Sequence, residues 1–374
     1  MDYTYGKKLL LKRGIAILAL AFLIYLLMLF ADYPQAVEKY YSQGVYTFIC
    51  RALHPVFNIF PFSVGDILYI FIIGFLIYTI VQIVKFAFKR NFVKSLGLIS
   101  GVIIGLETGI LIFYLFWGLN YFRPSAAERL KLTDTTFTLT DLQQVTTILI
   151  DSANACRKRL TPADLKQNNS AIYLSAINAV KGLSQRSPVY KTYSPDIKPS
   201  LLTPVMNYIG TSGYYNPFTS ETQINYQMPV FNRPFVACHE MSHQMGFGAE
   251  DEANFAGFMI ATSSNDRLLR YSAYHQAVGE FMFAMYEADT VLHKQLKASI
   301  SPAVKADFKQ ERLYWLSYQN KIDEITGIFY DNFLKVNNQP AGLDTYNQMV
   351  ALVIALYKKK HLQDQHVSGR SKSW

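Results

Sequence analysis

The stretch FVACHEMSHQMGFGAEDEANFAG, Phe235 to Gly257, holds most of the chemistry this sequence offers. In a helix, His239 and His243 stand four residues apart and project from one face, with Cβ atoms ~5–6 Å apart. Two imidazoles at that separation can share one tetrahedral zinc ion at Zn–N distances of ~2.0–2.1 Å. Glu240 lies one residue round from His239, near enough to reach a water at the open coordination position without taking a position itself. HExxH spacing therefore carries two ligands and a general base, with the pKa of such a water falling towards ~7. The blander reading is an amphipathic helix with two ordinary histidines. It fits less well, because the chain has only seven histidines and this pair falls on an otherwise apolar, small-residue helix. A carboxylate is needed as third ligand, and Glu250, Asp251 and Glu252 are candidates. On a second helix starting near Ala249, Glu250 and Asn254 share a face, whereas Glu252 lies about 200° round from Glu250.

The elements that must position these groups have local signals. Asn232 can cap the histidine helix, with Pro234 at its second position, and Gly246 is a natural stop. Thr222 to Met228 (TQINYQM) alternates polar and apolar residues as a half-buried strand does. It is expected to be the edge strand that aligns an extended substrate by backbone pairing. Thr140 with Gln143 makes a capping box ahead of a helix through about Arg159, and Thr161-Pro162 opens a turn. Prolines and glycines make residues 187–217 a loop with short strands. Helices dominate again from Pro234 to about Lys360, among them a short buried one, Met349 to Tyr357.

The chain of 374 residues is 51% hydrophobic and only 17% charged, and the apolar residues are concentrated at the start. Three runs are about long enough to cross a bilayer as helices: residues 14–31, 67–84 and 96–119, the last interrupted by Glu107. The first run follows a basic start but lacks a clear small-residue cleavage site, so it reads as an anchor rather than a removed signal. Lys7, Lys8, Lys12 and Arg13 precede the first run, and Lys85, Lys89, Arg90 and Lys94 fill the loop after the second. The loop of residues 32–66 has only Lys39 and Arg51. The positive-inside rule then puts the N-terminus in the cytoplasm and everything after the third span outside.

The net charge of +9 does not point to nucleic acid, because much of the excess flanks the apolar runs or lies in Lys358-Lys359-Lys360. Cys50, Cys156 and Cys238 form neither a CxxC nor a disulfide framework. Glu107 is expensive in lipid and is expected to face a helix bundle, paired with a polar neighbour such as Thr108 or a tyrosine. Tyr271, Tyr274 and His275 follow the histidine helix and could offer an oxyanion donor, although packing explains each singly. His54, His293, His361 and His366 have no partners in motif spacing.

EDEAN, Glu250 to Asn254, resembles the ExxAD or ExxAN signature of gluzincin-type metallopeptidases. That resemblance implies Glu250 as the zinc ligand and Asn254 as the group that orients a histidine ligand. The gap from His243 to Glu250 is short for that pattern, and Asn254 stands where many relatives have Asp. A metzincin pattern fits through Gly246 but meets Ala249 where it needs a ligand. WGLNYFRP (Trp117 to Pro124), SGYYNPFTSE (Ser212 to Glu221), the HExxH region and NNQPAGLDTY (Asn337 to Tyr346) are similar to an uncharacterised Bacteroidetes-type family of membrane proteins. The resemblance covers nearly the full length. It implies a mainly α fold, with a membrane domain of three transmembrane helices in residues 1–120. An exported α+β zincin-like domain with a small sheet occupies 121–374.

The expected protein is a multi-pass inner-membrane zinc metallopeptidase with a periplasmic catalytic domain. His239, His243 and Glu250 hold Zn2+, Glu240 is the base, and the substrate is a peptide or protein of the envelope. The rival reading is a catalytically silent module of the same fold, serving assembly or sensing. A channel or transporter finds thin support in three spans and one acid.

Overall fold

A computed structural model describes residues 3–132, 134–340, 342 and 349–359. The chain divides into two compact units. One is Met1–Arg123 with Asn216–Ser220, the other Pro124–Tyr215 with Glu221–Trp374.

The first unit is built on three apolar helices, Tyr3–Ala31, Val64–Phe88 and Phe92–Phe116. A 25-residue helix such as the second or third is about 37 Å long and exceeds a hydrocarbon core of ~30 Å. Their outer faces carry bare apolar side chains, Leu18 at 73% and Phe71 at 71% exposure among them. Lipid covers such a surface at no cost, and a helix satisfies its own backbone there. The Ser63 and Asn91 side chains cap the second and third helices. Arg13 donates to the Gly97 carbonyl and the Ser100 hydroxyl, joining the first helix to the third.

Three expectations change here. The third helix ends at Phe116 rather than Leu119, because Trp117 leaves helical geometry and a 3-10 turn, Gly118–Phe122, follows. Residues 32–66 are largely helical, with a π-helix at Val37–Val45 running into Tyr46–Phe57. The WGLNYFRP motif ties that connection down: Arg123 pairs with Glu38 at 2.6 Å, and Ser42 donates to Asn120 at 2.9 Å. Glu107, lastly, buries one carboxylate oxygen with no hydrogen-bond partner, where a polar neighbour was expected.

The second unit is mainly helical. Its helix Leu139–Arg159 buries Leu142, Val145, Leu149, Ile150 and Ala153, an i, i+3, i+7, i+8 stripe that faces one way. The stripe packs on the helix Arg267–Ala288, which buries Leu268, Tyr271, Val278 and Phe281. Each such large side chain contributes ~1.5–3 kcal/mol on leaving water. The capping box lies two residues earlier than expected, on Thr138 and Asp141, because Asp141 reaches back to the Thr138 N–H at 2.9 Å. The turn at Thr161 forms, with Asp164 accepting from its N–H and hydroxyl. Residues 349–359 form the expected buried helix; Lys360, His361 and His366 lie outside the described residues.

The sheet has three strands: β1 (Lys198–Pro199), β2 (Gly213–Asn216) and β3 (Glu221–Ile224). Their order is β1-β3-β2, and β1 pairs β3 in parallel with Lys198 opposite Gln223. The expected edge strand is therefore the middle one, shorter than 222–228 and buried throughout. Its buried Glu221 is tolerated because it is partnered by Lys198 at 2.6 Å. The edges are β1 and β2.

Asp307 joins two helices by accepting from Arg157 Nε and from the Tyr271 hydroxyl, each at 2.5 Å. Asp307→Ala strands a buried hydroxyl and a mostly buried cation, and should cost about 2–4 kcal/mol. Denaturant titration of the full chain in detergent checks this; an unchanged midpoint would mean the network contributes nothing to stability.

Candidate metal centre

The histidine helix is Arg233–Gln244, with Asn232 at its N-cap position and Pro234 in its first turn. Asn232 does not cap with its side chain, which instead donates to Glu311 at 2.7 Å. The helix is small and apolar where it packs: Ala237, Cys238 and Met241 are fully buried. Gly246 ends it at φ 82°, a left-handed conformation that costs glycine little. The chain then reverses into Glu250–Thr262, with Ala249 at the N-cap. This tight reversal is why a carboxylate only seven residues beyond His243 can return to it.

His239, Glu240 and His243 bring ligand-capable atoms within 4.8 Å of one another. The two Nε2 atoms are 3.2 Å apart. Glu250 approaches both imidazoles, Oε2 at 3.3 Å from His239 Nε2 and Oε1 at 3.5 Å from His243 Nε2. Bonds of ~2.0–2.1 Å to a tetrahedral ion separate neighbouring donors by about 3.3–3.4 Å. The three separations, those to Glu250 running through its two different oxygens, are each close to that edge length, and the donor set fits zinc.

The supports of these side chains agree with that fit. His243 Nδ1 lies 2.8 Å from the Phe247 carbonyl, which can only accept, so Nδ1 carries the proton and Nε2 keeps its lone pair. Asn254 hydrogen-bonds the His239 ring. The Tyr330 hydroxyl donates to Glu250 Oε1 at 2.6 Å, and the Glu250 N–H donates to Gln339 Oε1 at 3.0 Å. Gln339 belongs to the NNQPAGLDTY motif, of which Ala341 and residues 343–346 lie outside the described residues.

Glu252 is committed elsewhere. It accepts from Arg129 at 2.5 Å and from the Ala126 backbone, and this ion pair turns it off the imidazoles. Asp251 is buried on the same turn, its carboxyl pushed up to about 7 by burial and by Glu252. Among the described residues, Glu250 is the carboxylate paired with both histidines. Burial opposes its charge, yet the two imidazoles hold it well below the carboxylate range. Burial also opposes charge on His239, and is outweighed by Glu250 and Glu240, which raise it. Glu240 is pushed up to about 8 by burial, with His239 pulling the other way.

Gly213 on β2 explains how Glu240 is accommodated. A Cβ there would stand 2.6 Å from Glu240 Oε1, so only glycine lets the carboxylate lie against the strand. The residues offered as oxyanion donors are elsewhere. Tyr271 and His275 are at most 1% exposed, the first bonded to Asp307 and the second stacked on Phe308 at 4.0 Å. Tyr274 packs edge-on against Phe258. The phenol at this centre is Tyr330, which no local pattern announces because it arrives from 80 residues downstream of Glu250. Cys238 is fully buried beside His239, and burial pushes its thiol up.

A cavity of about 310 Å³ opens beside the centre, with His239, Glu250, Asn254 and Tyr330 in its wall. A family model described as a protein of unknown function, DUF3810, matches residues 41–354. Comparison with curated proteins and with solved structures gives no match.

Glu250→Ala is expected to lose zinc while Glu252→Ala keeps it and loses stability instead. Tyr330→Phe should weaken zinc by about 10–100-fold, the usual cost of removing a group that orients a ligand. Metal analysis and competition titration of the purified full chain measure all three. Full zinc retention in Glu250→Ala would overturn the assignment.

Proposed function

The chain belongs to the DUF3810 family, whose model spans most of it, and we propose that it is a membrane-anchored zinc metallopeptidase that hydrolyses peptide bonds in the cell envelope. One observation carries the reading: two imidazole nitrogens and the Glu250 carboxylate oxygens at separations of 3.2–3.5 Å, with a buried glutamate beside them against an edge strand.

His239, His243 and Glu250 would hold the ion. Zinc, when bound, polarises a carbonyl and acidifies water. Glu240 then accepts the proton of the water as its oxygen bonds to the carbonyl carbon. It returns that proton to the leaving nitrogen as the C–N bond breaks. Burial raises the basicity of Glu240, and a cation at the neighbouring imidazoles opposes that rise, so the two effects tune one base from opposite sides. β2 is an edge strand of the sheet, and Gly213 at its start brings it close to Glu240, where an extended peptide would lie. Tyr330, hydrogen-bonded to Glu250, is the hydroxyl best placed to meet a developing oxyanion.

The three apolar helices supply the anchor. The charge bias of their flanks supports an N-terminus in the cytoplasm and a catalytic unit on the far side, the periplasm of a bacterial inner membrane. A reporter fused after Lys360 should then be active only outside the cytoplasm, and one fused at Arg90 only inside. The reverse pattern would sink the exported-enzyme reading.

Glu240→Gln should fold and keep zinc, because a base is not a ligand. Its rate should fall ~10²–10⁴-fold. Comparative envelope proteomics should show a protein or peptide that accumulates uncut in the variant strain. A zinc-loaded Glu240→Gln protein that replaces the wild type in every phenotype would favour the silent module.

A further inference from the structure

The cavity beside the metal centre has a second wall that the hydrolytic reading does not use. Glu311 and Trp315 come to it from the helix Pro302–Leu316, Asn232 from the start of the histidine helix, and Gln276 from Arg267–Ala288. Among the described residues lining the cavity there is neither Lys nor Arg. Glu311 is largely buried, and its Oε1 accepts from Asn232 Nδ2 at 2.7 Å. That bond fixes the orientation of the amide, since a carboxylate only accepts. Asn232 Oδ1 is left as an acceptor with no partner, on a residue 8% exposed that lines the cavity. Behind this wall stands a second acid: Gln276 donates to buried Glu280 at 2.8 Å. An orphaned acceptor, a largely buried carboxylate and an indole line one small space.

Glu311 Oε2 also lies 3.8 Å from His275 Nε2, but burial disfavours charge on that imidazole, so it supplies no cation. An acceptor with no donor and a carboxylate with no charged partner are each costly when largely buried. One ligand class relieves both. A primary ammonium has three N–H donors, one positive charge and no acceptor, and it lies favourably over an indole face. We infer that this wall binds a primary ammonium group of the substrate, with Glu311 and Asn232 Oδ1 accepting its hydrogen bonds and Trp315 covering it. The inference rests on the metallopeptidase reading for its purpose, because the cavity is shared with His239 and Glu250. The substrate would be a peptide with an ammonium close to the bond that is cut. Either the free amino terminus or a lysine-like side chain supplies that chemistry. Burial and nearby Glu280 push Glu311 up to about 7, although Asn232 opposes them, and a bound cation would lower it again.

The test is calorimetric titration of the full chain in detergent, as purified and after metal removal by EDTA. The probes are leucinamide (free α-ammonium), Nα-acetyl-lysinamide (side-chain ammonium only) and N-acetyl-leucinamide (neither). Charge-assisted hydrogen bonds of ordinary strength predict that one amine binds at least about tenfold tighter than the neutral probe. Tighter leucinamide assigns the α-ammonium, and tighter Nα-acetyl-lysinamide the side chain. Glu311→Gln should erase the preference. Should that variant not fold, the wild-type comparison of the three probes decides alone. Equal affinities, no measurable amine binding, or a preference that survives in Glu311→Gln would overturn the inference. Zinc content of the untreated sample reports separately on the metal: a zinc-free protein that prefers amines fails the metallopeptidase reading, not this one.

Discussion

A carboxylate facing two imidazoles, all three largely shielded from water, is the constraint on which the second unit turns. Glu250 comes within 3.5 Å of both Nε2 atoms, and the local chain is shaped to let it. Gly246 reverses the backbone, and Ala249 starts the next helix. Tyr330 and Gln339 then hold the glutamate by its carboxylate and by its backbone N–H. Each contact restricts a side chain that would otherwise seek water, and a charge taken out of water costs several kcal/mol when left unpaired. A divalent cation among the three donors is the pairing that satisfies all of them together.

The parts governed by neighbours in sequence were the legible ones. The i, i+4 histidines, the Gly246 stop and a helix from Ala249 depend on local geometry, and each is found where the residues indicate. The three apolar helices were legible for a similar reason, since lipid demands a run of one chemical character. Errors arose where two local rules competed or where a partner was distant. Thr138 and Thr140 both precede possible capping partners, and only the three-dimensional closure onto Asp141 selects the first. Alternation in 222–228 could not reveal strands on both sides of β3, because β1 and β2 come from a stretch dense in proline and glycine.

The distance in sequence also explains what the site reading missed. Tyr330, Gln339 and Glu311 lie 60 or more residues beyond any motif histidine; Tyr330 and Glu311 are on helices whose own patterns speak only of solvent and packing, and Gln339 follows one of them. The choice between Glu250 and Glu252 had the same character. Helical periodicity showed that both could not face one ion. What decided the matter was the salt bridge of Glu252 with Arg129, which belongs to a short helix more than 100 residues upstream. A resemblance to the ExxAN pattern pointed to the same residue, and the physical reason is this competing cation.

Charge is divided within the chain in a way its net value conceals. The excess of +9 reflects basic residues concentrated beside the apolar helices and near the C-terminus, whereas the cavity beside the metal centre is lined by acids and acceptors. As proposed, such a cavity would gather cations of two kinds. At one end the imidazole nitrogens and the Glu250 carboxylate lie at separations near a tetrahedral edge and suit a small metal ion with directional bonds. At the other, the acceptors are fewer, an aromatic ring is present, and the space suits an organic ammonium with three divergent donors. The acids are therefore not interchangeable. Glu250 is held far below the carboxylate range by two imidazoles at 3.3–3.5 Å. Glu311, 3.8 Å from a His275 ring on which burial disfavours charge, and Glu280 are pushed up to about 7 by burial. A carboxylate already committed to its charge serves a resident ion. One poised near neutrality gains its charge when a cation arrives, which suits a ligand that must also leave.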